Sequence, residues 1–111
     1  MSPKRVVVTG VGAISALGPD VSRFWDSLAL GRSAIGPIES VDRSTLRFEN
    51  GAEVNGFEPQ SHFERRQLAQ LDRFCQFALV AAREAVAASG IGWTDESRLR
   101  SGVVTGSSVG G

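Results

Sequence analysis

Three consecutive valines, Val6 to Val8, running into Thr9-Gly-Val-Gly12, constrain this chain more than any other stretch. The run has no polar alternation, so it reads as a strand buried on both faces, as in a helix-covered parallel sheet. Gly10 and Gly12 end it in a turn where backbone passes close to backbone, an approach that a Cβ would block. The same design returns at Val103-Val-Thr-Gly106, close to the last residue. Two such strands separated by helical sequence predict parallel neighbours in one sheet, joined by a right-handed crossover. The expected class is α/β. Strands buried on both faces need helices above and below and further strands beside them, and this chain supplies too few. Residues 1–111 therefore read as one incomplete part of a larger body, with no domain boundary inside.

The connecting segments carry their own signals. Asp20, after Gly18-Pro19, is placed to cap a helix over Val21 to Leu30, with Val21, Phe24, Trp25 and Leu28 on its inner face and Gly31 as its left-handed stop. From Arg32 to Gln60 turn residues dominate, and Ala52 to Val54 is predicted as a short edge strand. Ser61 to Gln70 predicts a short helix or helical turn. The main helix follows over Leu71 to Ser89, with Asp72 at its positive end and Gly90 as its stop. Its predicted inner face is Phe74, Phe77, Ala78, Ala81, Ala82, Ala85 and Val86. Gly92 to Arg100 reads as a charged surface loop carrying Trp93.

Composition narrows the function classes. Lysine plus arginine equals aspartate plus glutamate at 12 each, so no overall field draws the chain to nucleic acid or an anionic membrane. Its apolar stretches fall far short of a membrane span, and the basic Met1 to Arg5 segment leads into a strand and not into a signal-peptide core. The expected location is the cytoplasm. A single cysteine, Cys75, rules out an internal disulfide and leaves no metal cluster.

The candidate chemistry is sparse. Gly10-Val-Gly12 resembles the opening of a dinucleotide-binding fingerprint, but Ser15 stands at the third glycine, the helix waits until Val21, and no acidic residue closes a second strand. Cys75 sits one turn inside a helix among aromatic core positions, which suits a small packed hydrophobe better than a nucleophile. His62 lacks a partner at any ligand or catalytic spacing. Arg65 and Arg66, with Arg73, form a basic patch that is either a solvated face or a receptor for an acidic protein or phosphate arm.

Several motifs in order resemble one known family. Arg5-Val-Val-Val-Thr-Gly-Val-Gly12, Ser15-Ala-Leu-Gly18, Phe24-Trp25, Gly31-Arg-Ser-Ala-Ile-Gly36, Leu71-Asp-Arg-Phe74, Ala81-Ala-Arg-Glu-Ala85 and Thr105-Gly-Ser-Ser-Val-Gly-Gly111 are similar to the N-terminus of a β-ketoacyl-acyl-carrier-protein synthase, with synthase II the nearest branch. The resemblance implies a thiolase-like fold, of which this chain is the N-terminal part of the first βαβ half in a layered α/β/α/β/α body that forms a homodimer or a pseudo-dimer with a related subunit. It implies a decarboxylative Claisen condensation between an acyl-cysteine and malonyl on acyl carrier protein, with no cofactor or metal. The family's catalytic cysteine and two histidines lie beyond the position of Gly111, and Cys75 does not match them, so no catalytic residue is expected in this chain. Ser108 and Val109 fall in a glycine-rich motif beside the family's acyl pocket, with Val109 at the chain-length position and Ser108 replacing a glycine. Arg65 and Arg66 fall on the carrier-protein docking patch, where Ala69 and Gln70 replace common basic residues, which implies weaker or retuned docking. A non-catalytic chain-length-factor relative and, from another class, a nucleotide-binding module stay open as alternatives.

Overall fold

The computed structural model describes residues 2–110. In chain order it holds α1 (Val21–Ala29), β1 (Gly36–Pro37), a 3-10 turn (Arg43–Thr45), β2 (Asn50–Gly51) and a second 3-10 turn (Pro59–Ser61). Three helices follow: α2 (Arg65–Leu68), α3 (Arg73–Ser89) and α4 (Asp95–Leu99).

Helix α1 starts where its cap chemistry dictates. The Asp20 side chain accepts a hydrogen bond from the Arg23 backbone N–H at 2.8 Å, satisfying one of the free amides of the first turn. It stops at Gly31, whose φ of 66° is the left-handed conformation glycine adopts without strain. The inner face differs from the expected one. Val21, Phe24 and Ser27 are half-buried, with the Ser27 hydroxyl donating to the Leu17 carbonyl at 3.0 Å, whereas Trp25 and Leu28 face solvent. On that side α1 meets the loop that ends at Gly18, through Arg23, Phe24 and Ser27.

The excursion after α1 is pinned by a two-residue antiparallel ladder, Gly36 opposite Gly51 and Pro37 opposite Asn50. Pairing thus occurs at Asn50–Gly51 and not at Ala52 to Val54. Pro37 has no N–H to give, so one of the two β1 positions lacks a donor. Glu53 serves from its side chain instead. Its carboxylate accepts from the Glu39 N–H at 2.8 Å, the Ser40 N–H at 3.2 Å and the Ser40 hydroxyl. The Ser40 hydroxyl, followed by the Glu39 N–H, holds the Glu53 carboxyl below the usual glutamate range.

Helix α3 spans Arg73–Ser89 and ends at Gly90, φ 66°. Its packing is set by small residues. A Cβ added at Gly10 would press into the Ala85 carbonyl and sit 2.8 Å from the Ser89 N, and one added at Gly12 would press into the Ala81 carbonyl and sit 3.0 Å from the Ala85 N. The loop backbone therefore lies directly on the Ala81–Ala85–Ser89 ridge, where residues four apart share a face. Ala81 and Ala85, two of the small residues expected on the inner face, allow this approach, and the partner is a glycine loop. Phe74, Ala78, Ala82 and Val86, expected inside, are exposed on the opposite flank.

Three further expectations are corrected. Gly92 to Arg100 is not a loop throughout, because α4 occupies Asp95–Leu99, with the Thr94 hydroxyl accepting from the Ser97 N–H and the Ser97 hydroxyl accepting from the Thr94 N–H. Val6 to Val8 and Val103 to Val104 belong to no sheet among the described residues. Strand structure requires a hydrogen-bonded neighbour, and no described segment lies alongside either one; Val6 is 91% and Val104 99% exposed. The expected α/β layering is accordingly reduced here to helices with one small antiparallel sheet. The radius of gyration, 17.6 Å, exceeds the roughly 13 Å of a compact domain of this length. Phe63 and Gln76 are the buried residues among those described. Apolar surface that would normally be covered is open.

Candidate functional site

The Gly10–Asp20 loop and α3 meet at Glu84. One Glu84 oxygen accepts the Ala13 N–H at 3.0 Å and the other accepts the Val21 N–H at 2.9 Å. Glu84 thus fastens the loop to α3 and, with Asp20, occupies amides at the start of α1. Asp20 is itself paired with the Arg23 guanidinium at 3.0 Å. This geometry is unlike a pyrophosphate cradle. The space above Gly10 and Gly12 is filled by α3 backbone, and donors that would face phosphate already face carboxylates. Beside the clasp, Ile14, Arg23, Phe57, His62 and Val80 line an open cleft of 390 Å³.

The basic residues divide by task. The Arg73 guanidinium donates to the Val54 carbonyl at 2.8 Å and lies over the rings of Phe57 (5.5 Å) and Phe77 (4.9 Å). The Arg83 guanidinium donates to the His62 carbonyl at 2.9 Å and lies over the Phe63 ring at 4.8 Å. Both act as ties between α3 and the segment before α2. Arg65 and Arg66 project from α2, exposed, and form no ion pair with the described residues. Arg73 is thus tied down by Val54, Phe57 and Phe77 while keeping its charge, whereas Arg65 and Arg66 form no ion pair among the described residues.

His62 stacks on Phe57 with centroids 5.3 Å apart and planes 7° from parallel, a packing role. Cys75 is half-buried on α3. Among the described residues, no group of three or more His, Cys, Asp or Glu side chains gathers as a metal site, and no helix is long and apolar enough to cross a membrane.

At the other end of the chain, Val109 is exposed and Gly110 takes φ 80°, with its Cβ direction 3.8 Å from the Phe74 ring. The positive φ of this loop falls on Gly110. Ser108, where a glycine is expected, keeps an ordinary negative φ, so the serine is accommodated without strain. Gly111 lies outside the described residues. The loop approaches the first turn of α3, while Arg65 and Arg66 lie on the helix that precedes it.

Sequence reasoning missed Glu84, Arg73 and Arg83 as structural ties. A glutamate or arginine in an alanine-rich helix carries no local mark that separates a solvated charge from a clasp.

Comparison with known proteins gives the frame for this geometry. Residues 3–111 match the family model described as "Beta-ketoacyl synthase, N-terminal domain". The 3-oxoacyl-[acyl-carrier-protein] synthase 2 of Coxiella burnetii is 38% identical over 111 residues, covering the whole chain and 27% of the relative. That of Staphylococcus aureus is 37% identical over 108 residues, covering 97% of the chain and 26% of the relative. A polyketide beta-ketoacyl synthase of Streptomyces halstedii is 43% identical over 109 residues, covering 97% and 26%. Among solved structures, the ishigamide ketosynthase/chain length factor matches with a TM-score of 0.69 and 35% identity, over 78% of this chain and 21% of that one. The chain spans about a quarter of the length of the curated relatives it matches.

Proposed function

The chain belongs to the β-ketoacyl synthase family as its N-terminal domain, and from that membership we propose that it is the opening part of a condensing enzyme of fatty-acid or related polyketide synthesis. The observation that carries the reading is the match of residues 3–111 to that domain, together with relatives of both synthase types. The reaction is a decarboxylative Claisen condensation. Malonyl on acyl carrier protein loses CO2, and the resulting carbanion attacks the thioester carbonyl of an acyl-cysteine. A carbon–carbon bond forms, the bond to the cysteine sulfur breaks, and the thiolate is released. That thiol and its two assisting histidines come from outside residues 1–111, as in the family, where they lie beyond the position of Gly111; Cys75 does not fall on the catalytic position, and His62 stacks on Phe57.

The chain's own contributions are a docking surface and part of a pocket wall. Arg65 and Arg66, exposed and unpaired, suit an acidic carrier protein, steering its approach more than they add to affinity. Ala69 and Gln70 dilute the charge, which favours weaker or retuned docking. Ser108 and Val109 contribute to the acyl-pocket wall, with Val109 setting chain length by its bulk. The exposed valine runs and the open flank of α3 fit assembly into a larger cytoplasmic, dimeric body.

The second reading is a chain-length-factor subunit of the same fold with no catalytic cysteine, favoured by the ketosynthase/chain length factor among its structural neighbours. The experiment is to supply the full-length protein with acyl and malonyl carrier proteins and look for β-ketoacyl product and CO2. Product supports the condensing reading. Product formed only when a second synthase subunit is added, with none from the protein alone, supports the chain-length-factor reading.

A further inference from the structure

We propose that Arg83 is a positioning residue for carrier-protein docking, holding α2 so that Arg65 and Arg66 face outward together. This role rests on the docking reading above. Helix α2 has four residues, one turn, too short to keep its own orientation, so the anchors at its ends must set it. Downstream, the Gln76 side-chain amide ties the Leu71 carbonyl at 2.9 Å. Upstream, the anchor is the His62–Phe63 dipeptide, two residues before Arg65.

Arg83 reaches that dipeptide twice. Its guanidinium donates to the His62 carbonyl at 2.9 Å and covers the Phe63 ring at 4.8 Å. Phe63 is the most buried apolar side chain among the described residues, 5% exposed, so its ring fixes the depth at which the segment sits. The His62 ring stacks on Phe57, which meets Phe77 of α3 edge-on at 5.0 Å. The segment is thus held on α3 at two points, and the helix cap begins at the next residue, where the Glu64 N–H donates to the Gln67 side chain at 3.0 Å. Removing Arg83 frees the carbonyl and uncovers the ring just upstream of the docking pair. The guanidinium of Arg83 lies over the Phe63 ring.

The test uses the full-length protein and four variants: Arg83→Met, which keeps the aliphatic stem, Arg83→Lys, the pair R65A/R66A, and the triple variant. Amide exchange across residues 62–68 is expected to rise about tenfold in R83M, the loss of one hydrogen bond and one cation–π contact. The carrier-protein KM rises with kcat unchanged, R83K restores most of both effects, and R83M adds nothing to the KM of R65A/R66A. Unchanged exchange across 62–68 in R83M overturns the proposal. So does a KM effect fully additive with R65A/R66A, the mark of a direct contact. R65A/R66A with the parent KM removes the docking reading and this role with it. That outcome is told apart from a failure of positioning alone, where R65A/R66A raises KM and R83M leaves exchange unchanged. Should R83M fail to fold, Arg83→Gln, which keeps a donor but no charge, is read by the same two measurements.

Discussion

Replacing Glu84 by glutamine separates a two-acceptor clasp from a solvated helix charge. The carboxylate takes the Ala13 N–H on one oxygen and the Val21 N–H on the other, at 3.0 and 2.9 Å. A carboxamide of the same shape offers one acceptor and one donor, so one backbone N–H is left facing an NH2 group. A hydrogen bond to a charged acceptor contributes about 1.5–3 kcal/mol, and the half-buried setting of Glu84 places it near the lower end. E84Q should therefore cost about 1.5–2 kcal/mol locally, which lowers the protection of one of the two amides by roughly ten- to thirtyfold. E84A removes both acceptors and should expose both amides, at about 3–4 kcal/mol. Amide hydrogen exchange on the full-length protein reads this directly. The Arg23 amide, held by Asp20 at 2.8 Å, is the internal control and should change little. If Ala13 and Val21 stay fully protected in E84Q, Glu84 is not the clasp, and α3 must hold the loop by packing alone.

Gly12→Ala forces a methyl group into α3 backbone at Ala81 and Ala85 and should destabilise by about 1–3 kcal/mol, seen as a lower midpoint in urea, whereas Ala at the exposed Gly102 should not. Asp20→Ala loses the α1 cap and should cost about 1 kcal/mol, with Asp20→Asn recovering most of it in the same titration. Glu53 has a folded pKa below its unfolded value, so its bonds to Glu39 and Ser40 stabilise the hairpin above the unfolded glutamate pKa and are lost as pH falls through the folded one. Exchange at the Glu39 and Ser40 amides should accelerate over that acid range, and E53Q should remove the pH dependence. Neutralising Arg65 and Arg66 together should raise the carrier-protein KM and flatten its salt dependence with kcat kept; an unchanged KM would remove docking from this surface.

Local chemistry was legible in the chain, and long-range partnership was not. Asp20, Gly31 and Gly90 specify helix ends through their own backbone and side-chain geometry, so α1 and α3 fall where the sequence places them, within two residues. Helix α4 was readable from Thr94 with Asp95, Glu96 and Ser97 behind it, a first-turn pattern hidden by the surrounding charge. The faces of α1 and α3 were not legible, because periodicity identifies an apolar stripe and not which neighbour arrives. Trp25 and Phe74 lie open as a result. Val6 to Val8 show the same limit: three valines prescribe a buried strand, but a strand exists only beside another. The site divides likewise. Arg65 and Arg66 stand exposed as read, while the task of Arg73 follows from Phe57 and Val54, distant in sequence and invisible to spacing.

If this chain opens a condensing enzyme, the reactive thiol lies outside residues 1–111. Mapping the acyl group by mass spectrometry after the full-length protein reacts with acyl carrier protein tests it most directly, with Cys75→Ala run in parallel. The expected result is a thioester on a cysteine beyond residue 111 and undiminished acylation in C75A. An acyl group on Cys75, or no acyl-enzyme at all, would contradict it.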